Sequence, residues 1–299
     1  MSFLQWAQLV RPGFHAPARA RAYAANIIPY NFSSIFSNMA GAGAAASLHS
    51  GSFPATPYKP RHETWPYDES DFVRHDESDD GVFYRPPRLV THIDDASMAR
   101  LSAYYGTVLP TKGCMMDLCT SWKSFYPSET NAAIQRKDLA VYGVGLNAQE
   151  MKRNGALDEW RVLDLNKPPH DVRAGWANAG AEMKLDATTC VVSIDYLNKP
   201  LEICRNVLDA TNEGGKIHLV ISNRCFPTKV VRRWLMLSEQ QRLEFVGGWK
   251  DIEIVDLCAR DESGMRITDD HGTIVVRSPH LPDHLDPLWV VRGTKHSGS

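Results

Sequence analysis

Residues 114–124 read CMMDLCTSWKS, and what they form decides the fold. Cys114–Leu118 is a short apolar run carrying Asp117 at its end, which is the pattern of a buried strand. The turn that follows, Cys119-Thr120-Ser121-Trp122, is polar and contains no glycine. An acid at a strand end followed by a turn marks the mouth of a nucleotide crevice in α/β sheets. There the turn is normally glycine-rich, because backbone has to approach the ligand closely.

Working outward, strands and helices alternate. Upstream, LVTHIDDASMARLSAYYGTVL (residues 89–109) predicts a helix capped by Asp94 or Asp95. Its apolar positions are Met98, Leu101, Tyr105 and Val108, and Pro110 and Gly113 close it. Downstream, Leu139–Val144 reads as a second strand, and Asn147 caps a helix over NAQEMKRN that Gly155 ends. Strands are expected over Arg161–Leu165 and Thr189–Ile194, then a helix over Lys199–Leu208. The turn NEGG leads into a strand over 216–222, followed by a helix over Lys229–Phe245 and strands over 252–259 and 288–291. This alternation specifies an α/β fold with a mostly parallel sheet and helices on both faces. Ligands in such sheets sit beyond the C-terminal strand ends, where the strand order reverses. That places Asp117–Trp122, Gly145–Asn147, Asp164–Asn166 and Ser193–Tyr196 around one crevice.

The chain has 299 residues, 43% hydrophobic and 23% charged, with a net charge of −2, so its bulk composition points to neither nucleic acid nor an anionic membrane surface. No apolar stretch is long enough for a membrane span. The six cysteines are scattered without a CxxC pair and read as free thiols in a reducing compartment. Met1–His62 contains no Asp or Glu but carries Arg11, Arg19, Arg21, Lys59 and Arg61. That composition, with RAYAA as a processing site, predicts a mitochondrial transit peptide over 1–23 and a matrix location. A plastid address or a plain disordered tail in a cytoplasmic protein are the alternatives. Residues 24–80 read as a low-complexity linker, and 81–299 as the folded domain. Gly41–Ala46 matches a dinucleotide fingerprint by letters only, because no strand precedes it.

Several motifs give the chain a family likeness. MMDLCTSW, YGVGLN, LDLN, VVSIDYL and NVLDATNEGG follow one another at successive strand ends. In this order they resemble class I S-adenosylmethionine-dependent methyltransferases. More narrowly, FYRPPRLVTHIDD (83–95) and SNRCFPTK (222–229) are similar to a methyltransferase type 11-like subgroup. The resemblance implies a Rossmann-like class I methyltransferase fold with a seven-stranded sheet, and S-adenosyl-L-methionine as cofactor. It implies cofactor contacts from Asp117, Cys119, Ser121, Trp122, Gly143, Gly145, Asn147, Asp164, Leu165, Asn166 and Ser193. It places Tyr84, Arg88, His92, Asp95, Tyr196, Arg224 and Lys229 on the side of the methyl acceptor. Two departures stand out: the first turn lacks glycine, and Gly145 stands where an acid usually takes the ribose diol, which glycine cannot do.

Each residue also has a purely structural reading. Asp117 can cap its own turn, Trp122 can be core, and Asp164 and Asn166 can cap a helix. His92 can sit beside an N-cap box, and Arg224 and Lys229 can be surface cations. The run HLPDHLD (280–286) lacks the spacing of a metal site, so no metal is expected. The chemistry implied is methyl transfer to a small molecule. The competing expectation is a degenerate methyltransferase fold serving as an organelle assembly or scaffold factor.

Overall fold

A computed structural model describes residues 53, 55–58, 66–174, 176, 183–244, 252–258 and 286–296, all within the compact unit Ser52–Ser299. The transit segment, residues 1–23, and the Gly41–Ala46 stretch lie outside the described residues.

The elements are β1 (Ala55–Pro57), α1 (Asp80–Phe83), α2 (Asp95–Val108), β2 (Gly113–Leu118), α3 (Ser128–Gln135), β3 (Leu139–Gly145), α4 (Ala148–Met151) and β4 (Glu159–Val162). They continue with β5 (Leu185–Val191), α5 (Pro200–Ala210), β6 (Thr211–Ser222), α6 (Glu239–Glu244), β7 (Ile252–Asp256) and β8 (Leu288–Thr294). One eight-stranded sheet runs in the order β1-β7-β8-β6-β5-β2-β3-β4. β2 pairs in parallel with β3 and β5, β3 with β4, and β5 with β6. β8 is inserted antiparallel between β6 and β7, and β1 adds an antiparallel edge. The order reverses at β2, so the CMMDL strand is central and its C-terminal end is the switch point.

The apolar run of β2 serves both faces of the sheet, since successive side chains point to opposite sides. Met116 and Leu118 join the core beneath α5, with Ile203, Cys204 and Val207. Met115 joins the core of α2 and α3, with Leu101, Tyr104, Tyr105 and Ile134. Asp94 caps α2 by accepting from Ser97 N at 2.9 Å, and Pro200 occupies the first turn of α5.

The structure corrects several expectations. The sheet has eight strands rather than seven, because β1 lies in what reads as linker. The rest of that stretch, from residue 66, is also docked. Phe72 is buried in the core, and the acids of YDESDFVRHDESDD find cations both far along the chain and, at Arg74, within the run itself. Glu69 meets Lys199 at 2.6 Å, Asp79 meets Lys167 at 2.9 Å, and Asp80 meets Arg74 at 2.6 Å. An acid-rich run looks solvated only while its partners are out of sight.

The helix expected over Lys229–Phe245 is instead a bridge at Val231, a 3-10 turn over Arg232–Met236 and then α6. Arg74 pairs with Val231, and Arg232 N donates to Val73 O at 2.8 Å, which holds this backbone extended against its helix propensity. The helix over NAQEMKRN shrinks to one turn, α4, because Asn154 bonds Ser121 O and Ser124 Oγ instead of continuing it. The third strand sits earlier than expected, at Glu159–Val162, and the fourth at Leu185–Val191. The NEGG turn is an irregularity inside β6, where Leu185 faces Thr211 but Ala187 faces Lys216, and Gly214 supplies a φ of +77°.

Candidate functional site

A cavity of about 590 Å³ opens at the C-terminal ends of the strands, within the range of roughly 300–1,000 Å³ that small-molecule sites occupy. Four chain segments shape it, and the hydrogen bonds show how each is held.

The turn after β2 comes first. Asp117 is buried, and its carboxylate accepts from Thr120 Oγ1 at 2.7 Å, Ser124 Oγ at 2.7 Å and Thr189 Oγ1 at 3.0 Å. Burial pushes its carboxyl above the usual range, while the three hydroxyls pull the other way. Asp117 thus organises the turn through its own side chain, as the capping reading expects. The left-handed residue that glycine would supply is Cys119, with φ +53°. The close approach is provided from the opposite side. A Cβ built on Gly145 would lie 2.3 Å from Thr120 O, so the two turns fit together only because β3 ends in glycine. This explains both departures at once: an acid at 145 has no room while the 119–122 turn holds its place.

The second segment is α4. Asn147 spends its side chain on structure, accepting from Gln149 N and Glu150 N and donating to Tyr84 O and Arg85 O. Glu150, one turn on, accepts from Arg88 N at 2.6 Å and from Ser121 Oγ at 2.5 Å. It is the carboxylate facing the crevice where Gly145 has none. The third segment follows β4. Asp164 accepts from Asn166 N and lies 3.4 Å from Lys167 Nζ. Asn166 bonds Asp80, Tyr196 O and Asn198 N, while Leu165 is buried.

The fourth segment, Tyr84–Asp94, forms the roof of the crevice together with the residues after β6. The Arg88 guanidinium stacks on Phe83 at 4.6 Å, Phe226 at 5.5 Å and Tyr84 at 5.7 Å. His92 stands edge-on to Phe226 at 5.4 Å, and Tyr196 Oη accepts from Phe226 N at 2.7 Å. Trp122 Nε1 donates to Val90 O at 3.1 Å, and Ser193 Oγ to Val191 O at 2.8 Å. Arg224 pairs with Asp286 at 2.5 Å, and Asp286 also accepts from Asp94 N.

Of the residues singled out from sequence, Asp117, Cys119, Ser121, Trp122, Gly145, Asn147, Asp164, Leu165, Asn166 and Ser193 line the cavity. So do Tyr84, Arg88, His92, Tyr196 and Arg224. Three do not. Gly143 packs within β3, where a Cβ would meet Leu157 and Thr120 at 2.7 and 2.8 Å. Asp95 is exposed on the first turn of α2. Lys229 is fully buried away from the crevice, held by Asp80 at 3.1 Å, Asp76 at 3.3 Å and Ser78 O at 2.7 Å. It is neither a substrate contact nor a surface cation. Sequence reasoning missed Phe226 and Asp286 as wall residues. Phe226 lies inside the SNRCFPTK motif, and Asp286 ends the HLPDHLD run, whose pattern suggests only metal ligands. Among the described residues no cluster of three metal-ligating side chains occurs, and no helix is long and apolar enough to cross a membrane.

No family model and no curated protein matches the chain. Solved structures do. A SAM-dependent methyltransferase from Archaeoglobus fulgidus is 12% identical, with a TM-score of 0.40 over 66% of this chain and 92% of its own. A putative methyltransferase from Bacillus halodurans is 10% identical, with a TM-score of 0.38 over 68% and 99%. A structure concerned with converting a disulfide bond into a thioacetal group during echinomycin biosynthesis is 18% identical, with a TM-score of 0.39 over 72% and 88%. At such identities and scores the similarities decide nothing about activity. The architecture stands on the chain's own strand order and register. It is a Rossmann-like, mostly parallel α/β sheet, with β8 inserted antiparallel and β1 added at the edge.

Proposed function

We propose that the protein is an S-adenosylmethionine-dependent methyltransferase acting on a small molecule. The observation that carries this reading is the open crevice at the switch point, with Glu150 facing it beside the turn from β2. The residues present fit the cofactor. Glu150 retains acceptor lone pairs for a diol, Leu118, Leu146 and Leu165 offer apolar wall, and carboxylates outnumber cations around the cavity, which suits a sulfonium. When bound, the cofactor supplies an electrophilic methyl group. The chain's own part is to hold the acceptor in line with it and to exclude water.

Calorimetric titration with S-adenosylmethionine and S-adenosylhomocysteine tests the reading directly. Binding by both is expected, and no heat at high micromolar protein and ligand overturns it. Within this reading, Glu150→Ala should weaken S-adenosylhomocysteine by at least about tenfold, the scale of one charge-assisted hydrogen bond. An unchanged affinity would show that Glu150 only ties Arg88 and Ser121 together. We place the protein in the mitochondrial matrix on the composition of its first residues. Imaging a fusion of residues 1–40 to a fluorescent protein tests that, and a diffuse cytosolic signal refutes it.

A further inference from the structure

We propose that His92 is the general base of the reaction and that the acceptor presents an aryl hydroxyl. This rests on the methyltransferase reading and deepens it.

The argument is one of commitment. Each carboxylate on the cavity wall already has partners. Asp94 caps α2 and accepts from Asp286 N, and Asp117 holds three hydroxyls. Glu150 takes Arg88 N and Ser121, Asp164 takes Asn166 N and Lys167, and Asp286 takes Arg224 and Asp94 N. Asp80 is consumed by Arg74, Lys229 and Asn166. Tyr84 and Tyr196 are driven far above the usual phenol range by burial, so they can donate a hydrogen bond but not take a proton. Burial likewise raises the Cys225 thiol. Cys119 is engaged with Cys190.

His92 differs from all of these. It lines the cavity and is open to solvent, and among the described residues its ring has no hydrogen-bond partner; it stands edge-on to Phe226. Desolvation lowers its pKa, with Arg88 adding in the same direction and Glu150 opposing. The other charged side chains on the cavity wall are the Arg224–Asp286 pair, Asp94, Lys123, Asp80, Asp117 and Asp164. The imidazole is therefore neutral and able to accept a proton at neutral pH.

The surroundings select the acceptor. Arg88, on the same wall and without an ion-pair partner among the described residues, disfavours an ammonium and favours the negative charge that develops on an ionising hydroxyl. The rings of Tyr84, Trp122 and Phe226 suit an aromatic body. An aryl hydroxyl, with a pKa of about 10, lies far closer to an imidazole than an aliphatic alcohol does, so its proton is the easier one for His92 to take. In the step, the oxygen forms a bond to the methyl carbon as the carbon–sulfur bond breaks, and the sulfur keeps that electron pair. The hydroxyl proton passes to the free ring nitrogen of His92, which returns it to solvent.

The probe is 4-nitrophenol, whose phenolate is yellow, added to the full-length protein saturated with S-adenosylhomocysteine. Wild type should bind it as phenolate. His92→Gln should bind it colourless, with S-adenosylhomocysteine affinity unchanged within about twofold and melting temperature preserved. With S-adenosylmethionine, formation of 4-nitroanisole should fall about 100-fold in the variant, the scale of a lost general base. Failure of wild type to bind S-adenosylhomocysteine sinks the methyltransferase reading itself. Cofactor binding with no capture of 4-nitrophenol overturns the aryl-hydroxyl assignment. Equal ionisation and turnover in wild type and His92→Gln overturns the base.

Discussion

Asp80→Ala should cost about 3–5 kcal/mol of stability, the range for removing one partner from a buried ion cluster. Asp80 is 4% exposed and lies between two buried cations. Arg74 Nη1 contacts its Oδ2 at 2.6 Å and Lys229 Nζ its Oδ1 at 3.1 Å, with Asn166 Nδ2 also on Oδ2 at 3.0 Å. Removing the carboxylate leaves Lys229, which has no exposed side-chain surface, with only Asp76 and the Ser78 oxygens. It leaves Arg74 with Glu77 alone as an ion-pair partner, at 3.5 Å. Chemical denaturation of wild type and variant measures the loss. The conservative Asp80→Asn should cost less, because it keeps one acceptor oxygen. Because Asp80 also anchors the segment leading into Tyr84–Asp94, binding of S-adenosylhomocysteine should weaken in parallel. A loss under about 1 kcal/mol would place these charges in the class of ordinary surface pairs.

The same cluster shows where sequence reasoning reaches its limit. Most of the parallel strands were legible because they are apolar runs bounded by turn residues, and their alternation with helices pointed to a mostly parallel sheet, while their order in it was implied only by the family resemblance. Segment 66–80 was not. Its acids are separated by more than a hundred residues from Lys199, Arg233 and Lys229, which they meet in space. Composition therefore reports a solvated run where the fold makes a docked strap. Lys229 failed for the same reason: its position after a strand suggested the crevice, while its partners lie on that strap.

In the site, the turns that the sequence singles out line one cavity, while their side chains divide the structural work differently from their positions in the sequence. Glycine was sought in the turn after Asp117, and it is present across the gap at Gly145, where it accommodates Thr120 O. A single sequence shows which residues are small, and only the pairing of β2 with β3 shows which backbone they make room for. Asn147 and Asn166 look like ligand contacts by position. Their amides instead tie the roof and the turn after β4 into place. Glu150 and Phe226 reach the cavity from short motifs whose roles depend on what faces them.

The second large effect is expected at Asp195, and it depends on pH. Asp195 follows β5, is 3% exposed, and is pushed up by burial to about 7 from an ordinary 3.8. Arg242 opposes the shift too weakly to cancel it. The folded state therefore holds this proton more tightly than the unfolded chain. Its contribution to stability is complete below about pH 4, declines as pH rises, and is lost once pH passes about 7. A shift of this size is worth about 4 kcal/mol across that window. Asp195→Asn keeps the shape and removes the charge. The variant should match wild type near the acid end of the window and exceed it by a few kcal/mol at about pH 8. Denaturation profiles at several pH values isolate the effect, since the other titrating groups are common to both proteins. The carbonyl of Asp195 accepts Val231 N at 2.9 Å, and its neighbours Ser193 and Tyr196 line the cavity. Ionisation should therefore loosen that wall, and S-adenosylhomocysteine affinity in wild type should fall above pH 7 while the variant holds constant. Parallel pH profiles for the two proteins would show that Asp195 ionises without cost, through a partner other than Arg242.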